Sequence, residues 1–360
     1  MKKFVKPVII IVLLSLLFTF SIFFLQTNYS VQDTSTIDSG DTAFVAMAAV
    51  LVMLMTPALG FFYAGLVRKK NLVSMIVQSI VIFALISIVW TLWGYCLAFG
   101  SSLGGIVGDL SFFGLNGVGV APAPNYSGTI PALLFFFFQL KFAAITPVLI
   151  IGAFAERIKF SSLLIFILLW VTLIYSPVAH WVWGDGGWLR DLGTLDFAGG
   201  TVVHIVAGFS ALAGAIVIGR RKTGNGSNKP SNVPFVILGA ALLWFGWFGF
   251  NGGSALAANN IAINALVVTN IAAACAALSW MMVDWFVKGK PSATGIAIGA
   301  VCGLVAITPA SGFVGPLSSM AIGLIAGLVS NFVANWRVER TKLDDTLDVF
   351  ACHGVSGVWG

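Results

Sequence analysis

Two histidines are the residues of this sequence best placed to do chemistry. His204 stands eight residues after Asp196 and His353 stands five after Asp348, each inside an apolar, glycine-flanked run. At a helical rise of 1.5 Å per residue, these offsets carry the imidazoles about 12 Å and about 7 Å into their helices. On antiparallel helices both rings reach the middle third of an apolar layer, where an ionisable group costs roughly 2.5–3.5 kcal/mol. A facing pair answers that cost, because a neutral imidazole donates through one nitrogen and accepts through the other and so can hand on a proton. Two separate core histidines, each bonded to a neighbour, are the plainer alternative. His180, at the end of a helix, has no counterpart and reads as structural. Asp196 and Asp348 precede their runs and read first as helix N-caps. The charge of Asp196 also suits a cation held at the mouth of a pore, whereas Asp348 is expected only to cap.

The aromatic residues suggest what such a pore would admit. Phe138 and Phe142 are spaced i,i+4, as are Phe250 and Ser254, on segments that would run in opposite directions. Depth then pairs Phe138 with Ser254 near the outside and Phe142 with Phe250 further in. Trp183 lies in the external segment from His180 to Trp188, a stretch that also reads as an interfacial aromatic belt. An indole face, a phenyl face and a hydroxyl oxygen make a site for a small, hydrogen-bonding cation. Two stacked phenyls beneath it would bar hydrated ions.

The elements that must position these residues follow from composition. The chain has 360 residues, 59% apolar and only 9% charged against the roughly 25% usual in soluble domains, which excludes a soluble fold. Its 40 glycines suit helices that approach closely where no hydrophobic effect drives them together. Apolar spans are expected at 43–66, 72–99, 129–153, 160–179, 198–219, 233–254, 261–286, 292–308, 313–335 and 347–360, joined by short polar connections. The result is an all-α polytopic membrane protein with ten spans, the tenth incomplete. Residues 1–27 form a basic start and an apolar stretch, a signal peptide or a retained signal anchor, and leave the start of the mature chain outside. Of 19 basic residues only Arg190 then falls in an external connection, a strong positive-inside pattern. Five spans per half make residues 43–219 and 233–360 an inverted repeat, which places binding sites near the midplane. Cys96, Cys275, Cys302 and Cys352 lie in apolar runs without metal-ligand spacing and read as buried thiols. The net charge of +6 encodes topology and gives no support to nucleic-acid binding. No nucleophile–base pair or metal constellation supports an enzyme.

Five strings together resemble the ammonium transporter family (Amt, Mep and Rh proteins). They are Phe138-Gln-Leu-Lys-Phe142, Gly152-Ala-Phe-Ala-Glu-Arg157, Asp196-Phe-Ala-Gly-Gly-Thr-Val-Val-His204, Trp247-Phe-Gly-Phe-Asn-Gly-Gly-Ser254 and Asp348-Val-Phe-Ala-Cys-His353. The likeness runs from about Asp41 to the last residue. It implies a homotrimer in the plasma (inner) membrane with one pore per subunit and an eleventh span beyond this chain. It also implies an external ammonium site of Phe138, Trp183 and Ser254 aided by Asp196, a gate of Phe142 and Phe250, and a twin-histidine pore of His204 and His353. Trp247 matches a pore-wall tryptophan of the family. No cofactor is implied. The partners implied are ammonium or ammonia, membrane lipid and a PII-type regulator docked at the basic 220–232 connection.

Selectivity then follows from chemistry. Potassium and ammonium are close in size, and an apolar bore with two histidines has too few oxygen ligands to replace a hydration shell. Ammonium alone can shed a proton and cross as ammonia. Lys141 departs from this pattern: it stands between the two phenylalanines in sequence, and pointing inward it would repel the substrate. It is expected to turn away to a polar partner or to snorkel. The alternative function is an ammonium sensor of the same fold with an output domain beyond residue 360.

Overall fold

A computed structural model describes residues 34–222 and 230–360. The leader read over residues 1–27 and the middle of the 220–232 connection lie outside the described residues. The architecture is helical, and among the described residues eight helices are long and apolar enough to cross a membrane. They are α1 (Ser39–Leu66), α2 (Lys69–Phe99), α3 (Ala132–Phe154), α4 (Phe160–Asp191), α5 (Gly200–Ile218), α6 (Val233–Gly252), α7 (Asn260–Lys288) and α9 (Pro316–Arg340). The shorter α8 (Ala293–Ile307) is also apolar, and α10 is made of Phe350–Val355 and Ser356–Trp359.

The connection between α2 and α3 is not a short polar loop. It carries two antiparallel hairpins, β1 (Ser102–Leu103) with β2 (Val107–Gly108), and β3 (Pro122–Ala123) with β4 (Ser127–Pro131). The third span therefore starts at Ala132 rather than 129, because residues 129–131 belong to a strand. Pro131 ends that strand and precedes the first helical residue, where a missing N–H costs no helical bond.

Close approach of backbones shapes the bundle. On α6, a side chain at Gly239 would strike the Phe62 backbone nitrogen at 2.5 Å, so α1 and α6 pack with little between them. Gly208 of α5 lies directly on the backbone of Gly354 in α10, and a Cβ there would also come within 3.0 Å of the His353 carbonyl carbon. This contact brings together the two histidine-bearing helices. Among the described residues five π-helical turns occur within or at the start of these helices, and three of them carry His204 (Gly200–Ile205), Phe250 (Phe248–Gly252) and His353 (Phe350–Val355). Such turns insert one extra residue and re-aim the side chains around it.

The end opposite the hairpins is tied by buried ion pairs. Glu156 accepts hydrogen bonds from the Arg68 side chain at 2.9 Å and from Asn71 at 2.6 Å. Arg221 makes a two-point pair with Asp344, both contacts at 2.9 Å. Arg157 donates to the carbonyls of Ala153, Gly219 and Asp344. These basic residues, legible in the sequence as topology, therefore also clamp four connections together. Burial pushes the Asp344 carboxyl up, but its bonds to Arg221 outweigh that and hold it below its ordinary value. A carboxylate held low adds stability above the ordinary carboxylate range and loses it as the pH falls through its folded value. Asp344→Ala removes the counter-charge of Arg157 and the closer of two for Arg221, which keeps only Glu156 at 3.7 Å; both guanidinium groups are less than a tenth exposed. The expected loss is about 3–5 kcal/mol, read as a lower thermal midpoint of the purified protein at neutral pH, with the gap to the parent narrowing as the pH is lowered.

Asp348 does not cap the last helix. The acceptor there is Asp345, whose Oδ2 takes the Phe350 N–H at 2.7 Å. Asp348 has φ +55° and turns its carboxylate to Arg337, with Nε and Nη2 both at 2.8 Å. Two acidic residues stand before the same apolar run, and the basic residue eleven positions upstream draws the later one away.

Candidate functional site

Asp196 builds the start of the first histidine helix. Its carboxylate accepts four backbone N–H groups, those of Gly199 (2.8 Å), Gly200 (2.6 Å), Thr201 (2.8 Å) and Val202 (3.2 Å). These are the amides that a helix leaves unpaired at its N-terminus. Gly199 makes the entry possible with φ +110°, a conformation costly for any residue with a Cβ. The carbonyl of Asp196 in turn accepts the Trp183 indole N–H at 2.9 Å, so one residue sets both the helix start and the indole. With its oxygens taken up this way, the carboxylate can act on a cation only through the field.

From Trp183 a line of rings runs inward. Trp183 meets Phe142 edge-on at 5.9 Å, and Phe142 meets Phe250 at 4.3 Å. Phe250 lies 5.8 Å from His204, and His204 lies 5.3 Å from His353 at an interplanar angle of 20°. The two histidine Nδ1 atoms are 3.2 Å apart, so one donates and the other accepts. Whichever ring donates keeps an acceptor at Nε2, while its partner keeps an Nε2–H donor. Nε2 of His204 is buried and has no hydrogen-bond partner among the described residues. Trp247 stacks on His204 at 5.3 Å and is fixed by its N–H to Thr308 Oγ1 at 2.9 Å. A cavity of only about 10 Å³ lies between these rings and aliphatic side chains of α1, α3 and α6. That is room for roughly one water-sized molecule.

A second cavity of about 240 Å³ opens on the hairpin side of Phe142. Trp183, Phe142 and Ser254 line it, but Phe138 does not: it packs edge-on against Phe142 at 4.9 Å and sits beside Gly253. The Ser254 hydroxyl donates to the Phe250 carbonyl at 2.8 Å, which leaves its lone pairs toward the cavity free to accept. Gln139 and Arg190 also line the cavity and were missed by sequence reasoning. Gln139 could have been found, since Phe135, Gln139 and Phe142 follow an i, i+4, i+7 face. Arg190 donates to the Trp183 carbonyl at 2.9 Å and lies 3.9 Å from Asp185.

Among the described residues Lys141 meets no polar partner, and it does not snorkel. It is buried beside Phe137 on α3, with its ammonium 3.4 Å from the Phe137 ring centroid and 5.3 Å from that of Phe83. Its i−4 neighbour supplies a cation–π contact and keeps the charge out of the line of rings. His180 bonds Ala98 O at 3.0 Å and Ser102 Oγ at 2.9 Å, fastening α4 to the hairpin side. Among the described residues no group of three metal-ligating side chains converges. The cysteines carry free thiols, and Cys302 and Cys352 touch at 3.3 Å.

Comparison with known proteins places this geometry in context. The profile of the Ammonium Transporter Family matches residues 43–360. An ammonium transporter of Bacillus subtilis (strain 168) is 50% identical over 321 residues, covering 89% of this chain and 78% of that protein. Ammonium transporter Amt1 of Archaeoglobus fulgidus is 49% identical over 322 residues, with coverage of 89% and 79%. Among solved structures, Saccharomyces cerevisiae Mep2 superposes with a TM-score of 0.86 at 39% identity, covering 91% of this chain and 76% of that one. A sensor Amt protein superposes with a TM-score of 0.82 at 36% identity, covering 89% and 80%.

Proposed function

The chain belongs to the ammonium transporter family, and we propose that it moves ammonium across a membrane by binding the ion outside and passing ammonia along His204 and His353. The observation that carries this reading is the unbroken line of rings from Trp183 to His353, with almost no free volume around the histidines. In the wider cavity the faces of Trp183 and Phe142 attract a cation and the Ser254 oxygen accepts one of its N–H groups. Phe142 and Phe250, at 4.3 Å, exclude a hydrated ion until the rings part. Beyond them an intact cation would meet hydrocarbon and two neutral imidazoles, so ammonium yields its proton there and ammonia takes hydrogen bonds from the histidine pair in turn. Potassium has no proton to yield. Asp196 serves as a positioning residue, through its carbonyl on Trp183 and its hold on the His204 helix.

The packing of α1 on α6 and of α5 on α10 supports two inverted halves, residues 43–219 and 233–360, with the hairpins outside and the ion-pair network facing the cytoplasm. A homotrimer in the inner membrane and a PII-type regulator at the 220–232 connection complete the proposal. Uptake of methylammonium by vesicles carrying the full-length protein tests it. Concentrative or facilitated uptake is expected. Tight ammonium binding with no uptake would favour a sensor, the function named for the neighbour with a TM-score of 0.82.

Trp183→Leu removes one cation–π face worth about 0.5–2 kcal/mol, so apparent ammonium affinity should fall roughly 2- to 30-fold. Concentration dependence of uptake measures it, and an unchanged curve would remove Trp183 from the site.

A further inference from the structure

We infer that Gln139 is a direct ligand of the ammonium ion in the outer cavity, its amide oxygen accepting an N–H that the aromatic faces and Ser254 leave over. This rests on the cavity being the ammonium site. Ammonium carries four N–H donors, and a ring face satisfies one far less well than an oxygen does. Ser254 provides one oxygen with its own proton committed elsewhere. The other polar groups of the lining do not supply a second. Arg190 is a donor only. The Tyr126 hydroxyl donates to the Phe99 carbonyl at 3.1 Å and accepts the Asp185 N–H at 3.2 Å. Asn125 is exposed and bonded to Asp185.

Gln139 differs from all of these. It is only 9% exposed, and its Oε1 is buried and accepts no hydrogen bond from the protein among the described residues. Among the described residues it is the one side chain lining this cavity with such an atom. A buried acceptor left unmet is costly, and the side chain that carries it lines the cavity on the same helical face as Phe142, where a ligand can meet it. A neutral acceptor suits this position, since the bound ion must leave again and a carboxylate would hold it.

The test uses the full-length protein, parent against Gln139→Met, which keeps the unbranched length and removes the acceptor, and Gln139→Glu, which restores an acceptor. Calorimetric titration with ammonium chloride and the concentration dependence of ammonium-dependent transport are measured side by side. Gln139→Met should weaken binding and raise the apparent KM roughly tenfold or more, the range of a hydrogen bond to a charged group, with the maximal rate kept. Gln139→Glu should bind at least as tightly as the parent, with the maximal rate reduced. Equal affinity in parent and Gln139→Met would overturn the assignment. So would a loss of maximal rate in Gln139→Met at unchanged KM, or a Gln139→Glu variant no tighter than Gln139→Met. If the parent binds ammonium but does not transport it, the transport reading fails while the titrations still decide the role of Gln139.

Discussion

Gly208→Val is expected to abolish ammonium uptake and lower the thermal midpoint, whereas Gly354→Ala should keep most of both. The asymmetry comes from what each new atom meets. At Gly208 a Cβ runs into the Gly354 backbone and approaches the His353 carbonyl carbon, none of which can turn aside. At Gly354 the nearest atom is a ring carbon of Phe350 at 2.8 Å, on a side chain that can give way. Overpacking a close contact costs typically 1–3 kcal/mol, and here the strain falls between the two helices that carry the histidines. His204 is one turn before Gly208, and His353 immediately precedes Gly354. Pushing the helices apart opens the 3.2 Å contact between the imidazoles, and beyond about 3.5 Å the hydrogen bond is gone. Uptake assays and thermal denaturation of both variants check this. Equal tolerance at the two positions would mean that the glycine contact does not set the histidine spacing.

Much of the architecture could be read from the sequence, because span length and charge position leave a helix in a membrane few options. The facing spans of Phe142 and Phe250 come from direction alone, but the helix of His204 starts at Gly200, four residues before the ring rather than eight. What escaped was whatever depends on a third element. Two acidic residues, Asp345 and Asp348, stand before the same run, and only the location of Arg337 decides which one caps. Lys141 needed knowledge of where Phe137 and Phe83 lie. Gln139 shares a helical face with Phe135 and Phe142, a signal in the sequence, but that this face lines a cavity is visible only once the wall around it is closed. The hairpins between α2 and α3 are strands of two to five residues, too short to show an alternating pattern. The π turns that hold His204, Phe250 and His353 break the 3.6-residue period over a single turn, which no periodicity count can register.

The largest change in selectivity is expected from acidic residues at the histidine pair. His204→Asp or His353→Glu places an anionic acceptor where the parent has a neutral ring, and an anion compensates the cost that keeps an intact cation out of hydrocarbon. The pore should then leak potassium, a current not expected of the parent. Removing both rings acts in the opposite sense. Without them the narrow space beyond Phe250 has no hydrogen-bonding group to receive ammonia or to carry its proton, and the charge movement coupled to transport should collapse. The direct measurement is of ammonium- and potassium-evoked currents from the full-length protein and its His204→Ala, His353→Ala double variant in supported membranes. The mechanism predicts an ammonium current in the parent, its loss in the double variant, and no potassium current in either. An ammonium current at the parental level in the double variant, with potassium still excluded, would reduce the two histidines to packing residues and contradict the proposed route.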